Sequence, residues 1–307
     1  MTELSRVSRL MKAAGVVFIV GEARSGTSLL YRTLQKHPSF RPRTQNLVES
    51  DVFSHLRRTF MFTDVYPDQL RRFMLNDQAA WSTFLRTIRP LRAVSAAWAP
   101  VNYLLRDRAR WLYYANLHHL VVRAYFFYAW QARGCVRLVE KTPTNTAQID
   151  RLAVTFPRAR FLYIHRHPVD VFTSYRRRAA VDPGAGWAKL DVDEFCRRYE
   201  EAAARAIDWR ARSGHNLHFV RYERLTTHPE GAFREVCEFL QEPFVPEAVH
   251  EPAPDLDRWP VDPHLWSNIV SRTKHWQDYL GMDEARELQN RLAPTMAALG
   301  YHPYPSI

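Results

Sequence analysis

The chain has 307 residues, of which 46% are hydrophobic, and it carries a formal net charge of +11 at pH 7. The length and apolar content predict one domain over residues 1–307 with a full hydrophobic core. The charge favours anionic partners, but no basic arm and no zinc-finger, homeodomain or RNP-type motif predicts nucleic acid among them.

The cysteines and the apolar stretches bear on the compartment. Cys135, Cys196 and Cys237 are far apart and form no C-x-x-C pair, which argues against a disulfide framework or a zinc site. Residues 1–15 lack the apolar core of a signal peptide, and residues 117–130 are too short and too polar for a transmembrane helix. We therefore expect a cytoplasmic protein without a transmembrane segment, for which peripheral contact with a membrane surface stays open.

The first predicted elements are a strand, a short loop and a helix. Residues 16–20 are an unbroken apolar run, which predicts a strand buried on both faces, as in a parallel sheet. Gly21 and Gly26 enclose the loop, and the helix opens at Thr27. Such a loop binds phosphate, because backbone N–H groups converge on the anion and the helix dipole favours negative charge there. The candidate ligands for an anion are Arg24, Ser25, Gly26, Thr27 and Ser28.

This loop differs from the Walker A loop of ATP-using enzymes, since Thr27 stands where that motif has its lysine. The difference argues against a P-loop kinase. The stretch GEARSGTSLL, residues 21–30, resembles the 5′-phosphosulfate loop of the sulfotransferase family, in particular its carbohydrate and tyrosylprotein branches with their R-S-G-T core. The resemblance implies that the cofactor is 3′-phosphoadenosine 5′-phosphosulfate (PAPS).

The segment after His37-Pro38, where the first helix should stop, leads to two carboxylates. In sulfotransferases this region commonly enters the active site, and an acceptor hydroxyl that attacks sulfur must lose its proton to a base. Glu49 is the candidate for that base, with Asp51 as the alternative. Residues 52–130 are mostly helical by pattern and rich in aromatic residues, and by analogy we assign this helical insertion to acceptor binding.

A second candidate cation follows the next predicted strand, residues 135–139. Lys141 lies just past its end, where open α/β sheets bind ligands, and Pro143 should start a helix with Thr142 as its N-cap. The sequence E-K-T-P-x-N resembles the family segment whose lysine contacts the sulfuryl group and the bridging oxygen. Pro143 stands where the cytosolic small-molecule branch has a catalytic histidine, which leaves the base role to Glu49.

The second strong motif follows a strand predicted over residues 159–165. Arg166, Pro168, Asp170 and Ser174 complete the pattern R-x-P-x-D-x-x-x-S, which in sulfotransferases binds the 3′-phosphate of PAPS. Pro168 suits the first position of a helix, and an arginine fork with a hydroxyl suits a phosphate.

The rest of the chain offers weaker candidates. Helices are expected at residues 192–212, 229–240 and 283–299, and a last strand at 217–225. That strand contains Y-E-x-L, which resembles a family segment whose tyrosine, here Tyr222, lies near the nucleotide. Arg272 and Lys274 match the basic groups that the family often places over the 3′-phosphate.

Together these features predict an α/β fold with a P-loop-like parallel sheet flanked by helices. The implied function is a PAPS-dependent sulfotransferase that acts on a carbohydrate, lipid, phenol or other metabolite without a metal. Its catalytic residues would be Glu49, Lys141 and Arg24. The alternatives are a P-loop nucleotide kinase-like enzyme and a non-catalytic nucleotide- or anion-binding protein. The oligomeric state is not predicted.

Overall fold

The fold is known from a computed structural model. It describes residues 15–42, 126, 134–213, 215–250, 269, 276–305 and 307. The sequence predictions that lie outside the described residues are Glu49, Asp51, Arg272, Lys274 and the insertion 52–130 apart from Phe126.

A four-stranded parallel sheet organises the described residues, in the order β2-β1-β3-β4. The strands are β1 (Val17–Val20), β2 (Val139–Lys141), β3 (Arg160–His165) and β4 (Leu217–Arg221). All four residues of β1 are buried, as expected for the interior of a parallel sheet. Because the strands are parallel, the segments that follow them all leave from one edge of the sheet.

Helices cover both faces of the sheet. The α-helices of the described residues are α1 (Thr27–Lys36), α2 (Ile149–Thr155), α3 (Pro168–Val181), α4 (Val192–Ser213), α5 (Tyr222–Thr227), α6 (Pro229–Leu240), α7 (Glu247–His250) and α8 (Met282–Ala298). Short 3₁₀ helices span Pro143–Gln148, Gly186–Ala188 and Trp276–Asp278.

The side chains of β1 alternate between two hydrophobic cores. Phe18 and Val20 face the core that includes residues of α3, α4 and α8. Val17 and Ile19 face the core that includes residues of α1 and α6. Helices on both faces of a parallel sheet confirm the predicted α/β class. None of the described helices combines the length and apolarity needed to cross a membrane.

Two predicted strands are shifted in the structure. The strand expected at 135–139 begins only at Val139, because the N–H of Arg137 donates to the carbonyl of Ser39 at 2.8 Å and not to the sheet. The strand expected at 217–225 ends at Arg221, and Tyr222 is the first residue of α5. A tertiary contact, which the apolar pattern does not encode, sets the start of β2.

Candidate active site

The loop between β1 and α1, residues 21–26, is tightly built. Gly26 precedes α1 with φ of +102°, and a Cβ placed on it would lie 2.4 Å from Cδ2 of Tyr222. Only glycine combines this backbone with this close approach. No side-chain hydrogen bond caps α1 at Gly26, so the N–H groups of its first turn face the loop as donors for a ligand.

The environment of Ser25 favours an anion-binding role for this loop. Its side chain is 1% exposed, and its hydroxyl has no hydrogen-bond partner among the described residues. A buried hydroxyl without a partner costs about 1–3 kcal/mol, so a ligand that bonds to it recovers that cost. Thr27, the first residue of α1, is also buried, and Ser28 after it is half-buried.

Arg24 connects the loop to the second motif. Its Nε donates to Oγ of Ser174 in α3 at 3.1 Å. The φ of Arg24 is +70°, a left-handed conformation that is strained for a residue with a side chain. The two motifs, 150 residues apart in sequence, therefore meet in one site.

Arg166 follows β3 on the strand-to-helix turn, as predicted, and is 4% exposed. Its Nη2 donates to Oδ2 of Asp170 at 3.3 Å, and its guanidinium lies 4.2 Å from the ring centroid of Tyr222. Its backbone carbonyl accepts the hydroxyl of Tyr199 at 2.7 Å. The Nε of Arg166 is buried and has no partner among the described residues. The fork is thus held in place, and its Nε–H is left as a donor for an anion.

Lys141 is the last residue of β2 and is 2% exposed. It pairs in register with Ile19 of β1, two residues before Gly21. The turn that follows it is tied to the loop, because the N–H of Gly21 donates to Oγ1 of Thr146 at 2.8 Å. Lys141 is therefore fixed beside the start of the loop.

Glu140, which precedes Lys141, takes part in the site although no role was predicted for it. Its carboxylate accepts hydrogen bonds from the hydroxyl of Thr142 and from Nδ2 of Asn145, the latter at 2.8 Å. Thr142 is the N-cap residue of the following 3₁₀ helix, as predicted, but its hydroxyl bonds to Glu140 and makes no capping hydrogen bond. Glu140 shapes the turn after Lys141, and the only signal in the sequence was the E-K-T-P-x-N spacing itself.

Glu22, inside the loop, was also missed. Its carboxylate accepts the hydroxyl of Tyr175 at 2.5 Å and an Nη2 hydrogen of Arg198 at 3.1 Å. Burial raises the pKa of Glu22, and the guanidinium of Arg198 opposes that rise. A carboxylate inside an anion-binding loop was the sequence signal, since such a group must be neutralised by a cation from elsewhere.

Two histidines flank Arg166. Burial, together with the charge of Arg221, lowers the pKa of His165 to about 4. Burial also lowers the pKa of His167, whose ring stacks on Tyr304 with centroids 3.9 Å apart. Both rings are therefore neutral at pH 7, and neither adds positive charge to the site.

The structure gathers the described candidates at one edge of the sheet, where the four strands end. These are Arg24, Ser25, Gly26, Thr27, Ser28, Lys141, Arg166, Ser174 and Tyr222. Within the part of the chain that the structure describes, no group of three or more His, Cys, Asp or Glu residues is placed to hold a metal ion.

Comparison with known proteins agrees with this geometry. Residues 16–246 match the model of the sulfotransferase family, and this range is more than half of the chain. A protein of Aquifex aeolicus (strain VF5), named only as an uncharacterized protein, is 27% identical over 109 residues. The matched segment is 35% of this chain but only 14% of that protein, well under two thirds of its length.

Solved structures share the fold at low sequence identity. The sulfotransferase domain from the curacin biosynthetic pathway is 18% identical, with a TM-score of 0.54 over 94% of this chain and 99% of that one. The sulfotransferase domain of the Synechococcus PCC 7002 olefin synthase is 19% identical, with a TM-score of 0.51 over 94% of each chain. Sulfotransferase STF9 from Mycobacterium avium is 15% identical, with a TM-score of 0.52 over 97% of this chain and 81% of that one.

Proposed function

Since the chain belongs to the sulfotransferase family, we propose that it transfers the sulfuryl group of PAPS to an acceptor hydroxyl. One observation carries the proposal: Arg24 of the first anion-binding motif and Ser174 of the second are hydrogen-bonded at 3.1 Å. A donor whose ribose carries both a 5′-phosphosulfate and a 3′-phosphate needs two such motifs side by side.

The residues present fit this donor. The proposed ligands of the 5′-phosphosulfate are Arg24, Ser25, Gly26, Thr27 and Ser28, with the unpaired Ser25 hydroxyl and the first turn of α1 as donors. The proposed ligands of the 3′-phosphate are Arg166 and Ser174, with Arg272 and Lys274 as further candidates. Tyr222, whose ring lies under the guanidinium of Arg166, is the proposed contact of the nucleotide.

The chemistry requires positive charge near the leaving group and a base near the acceptor. PAPS supplies an activated sulfuryl group whose leaving group is 3′-phosphoadenosine 5′-phosphate. Lys141 and Arg24 stabilise the negative charge that develops on that leaving group. Glu49, or Asp51 in its place, takes the proton from the acceptor hydroxyl. No residue in this scheme needs a metal ion.

The acceptor is proposed only by class, as a hydroxyl of a carbohydrate, lipid, phenol or other metabolite. The insertion 52–130 is the proposed acceptor-binding region. We place the protein in the cytoplasm, with contact to a membrane surface allowed by the net charge of +11.

Calorimetry with three nucleotides tests the donor. We expect micromolar binding of 3′-phosphoadenosine 5′-phosphate and at least about tenfold weaker binding of AMP, because AMP lacks the group that Arg166 binds. Incubation with PAPS and a panel of hydroxyl acceptors should then release 3′-phosphoadenosine 5′-phosphate in step with a sulfated product. Binding of ATP with magnesium at equal or higher affinity would overturn the proposal and favour a kinase-like enzyme.

A further inference from the structure

The phosphosulfate loop, residues 21–26, carries its own buried carboxylate. Glu22 is 7% exposed and lies two residues before Arg24. A carboxylate next to an anion site repels the ligand unless a cation neutralises it. Arg198, which extends from α4, supplies that cation at 3.1 Å. Burying an ion pair often adds no net stability to a fold, so this pair is better explained by a functional role.

The contacts of Glu22 hold one of its two carboxylate oxygens. The same oxygen, Oε1, accepts the hydroxyl of Tyr175 and a hydrogen of Arg198, and Arg198 also reaches the Tyr175 hydroxyl at 3.3 Å. These three side chains, called here the Glu22 network, direct the carboxylate toward α3 and α4.

The Glu22 network lies beside the contact between the loop and the second motif. Glu22 bonds to Tyr175, and Arg24 bonds to Ser174, the preceding residue of the same helix. Two side chains at alternate positions of the loop thus hold consecutive residues of α3. Arg24 has φ of +70°, and such a backbone persists only where its surroundings fix it from several sides.

We propose that Glu22 is a positioning residue which, through Tyr175 and Arg198, fixes the loop in the conformation that receives the phosphosulfate. The role rests on the proposed function. The benefit is preorganisation. Because Arg24 and the loop N–H groups are already in place, binding of the sulfuryl donor does not have to order them.

The test compares two variants, each of which removes a side-chain hydroxyl that donates a hydrogen bond to a carboxylate. Tyr175→Phe leaves Glu22 paired with Arg198. Ser39→Ala removes the hydroxyl that donates to Glu242 at 2.6 Å and leaves Glu242 paired with Arg137 at 3.2 Å, away from the loop. Both variants lose a hydroxyl that donates to a carboxylate, and Tyr175→Phe also loses the hydrogen bond that Arg198 donates to that hydroxyl at 3.3 Å. Thermal unfolding of both variants is therefore measured alongside.

The readouts are amide hydrogen exchange of the loop and the affinity for 3′-phosphoadenosine 5′-phosphate. In Tyr175→Phe we expect loop exchange at least about tenfold faster and binding about tenfold weaker, with neither change in Ser39→Ala. Glu22→Gln, whose amide oxygen still accepts the Tyr175 hydroxyl, should stay within about threefold of wild-type affinity, whereas Glu22→Leu should show the full loss. Arg198→Gln provides the same exchange readout if Tyr175→Phe does not fold.

Wild-type loop exchange in Tyr175→Phe, or equal effects of Tyr175→Phe and Ser39→Ala, would overturn the positioning role. The exchange measurement needs no ligand. A wild-type protein that fails to bind the nucleotide therefore refutes the proposed function alone, while unchanged exchange with intact nucleotide binding refutes the role of Glu22 alone.

Discussion

Acid stability gives a sharp test of the packing beside the second motif. His165 ends β3, directly before Arg166, and its ring is buried against the rings of Phe219 and Tyr301. Nδ1 of His165 has no hydrogen-bond partner among the described residues. The substitution His165→Phe keeps an aromatic ring in this place and removes the proton-binding site.

The pKa of His165 sets the sign and size of its contribution to the pH dependence of stability. This pKa falls from an ordinary 6.5 to about 4 in the folded protein. Between these values the unfolded chain binds the proton and the folded chain does not, so this contribution to stability is lost as the pH falls. Each pH unit is worth about 1.4 kcal/mol, which gives about 2 kcal/mol at pH 5 and about 3 kcal/mol below pH 4.

The assay is urea unfolding of wild type and His165→Phe at pH 7.5 and pH 5. The free energy of unfolding of the wild type, relative to the variant, should fall by about 2 kcal/mol between these conditions. Comparison with the variant cancels other groups, including Glu22, whose raised pKa acts in the opposite direction. His215→Phe, which makes the same replacement at an exposed site, is the control. The reasoning is refuted if the difference in free energy of unfolding between wild type and His165→Phe is the same at pH 7.5 and pH 5 within about 0.5 kcal/mol.

Three substitutions test the site itself. Gly26→Ala should weaken nucleotide binding at least about tenfold in calorimetry, because it costs about 1–2 kcal/mol in backbone strain and displaces Tyr222; an unchanged affinity contradicts this. Lys141→Met should lower kcat by about 10²–10³-fold with little change in nucleotide affinity. The control Lys189→Met, at an exposed site, should keep full turnover. Equal kcat values for the two variants would show that Lys141 has no catalytic role. Arg166→Lys should weaken the binding of 3′-phosphoadenosine 5′-phosphate about tenfold but leave the binding of AMP unchanged, since only the former has the 3′-phosphate. Equal losses of affinity for both nucleotides would show that Arg166 does not bind the 3′-phosphate.

The sequence predicted the fold, and it predicted that the candidate residues lie at the ends of the strands, because both depend on local patterns. The apolar run of β1 and the proline at the start of α3 are signals within a few residues, and the helix at Pro229–Leu240 has its predicted bounds. Parallel strands then place Arg24 and Arg166 at the same edge without further information. The family match over residues 16–246 confirms the resemblance that these motifs carried.

The sequence did not predict the contacts that join the motifs. Glu22 meets Arg198 across 176 residues, and Gly21 meets Thr146 across 125. No periodicity or spacing rule relates such distant positions, because helix packing on the sheet decides which side chains meet. The same limit explains the shifted start of β2, where Arg137 bonds to Ser39 on a segment that only the fold brings close.

If the loop binds an anion as proposed, Lys141 replaces the lysine of a Walker motif from a neighbouring strand. A Walker loop carries its cation at the position of Thr27 here. In this protein β2 lies next to β1, and the register sets Lys141 beside Ile19, directly before the loop begins. Arg24 adds a second cation from within the loop. The positive charge is thus supplied from a neighbouring strand and from the loop side chain, which places it at the loop entrance and at Ser174. That distribution suits a ligand with two separate anionic groups on one ribose, whereas a triphosphate concentrates its charge in one chain of phosphates.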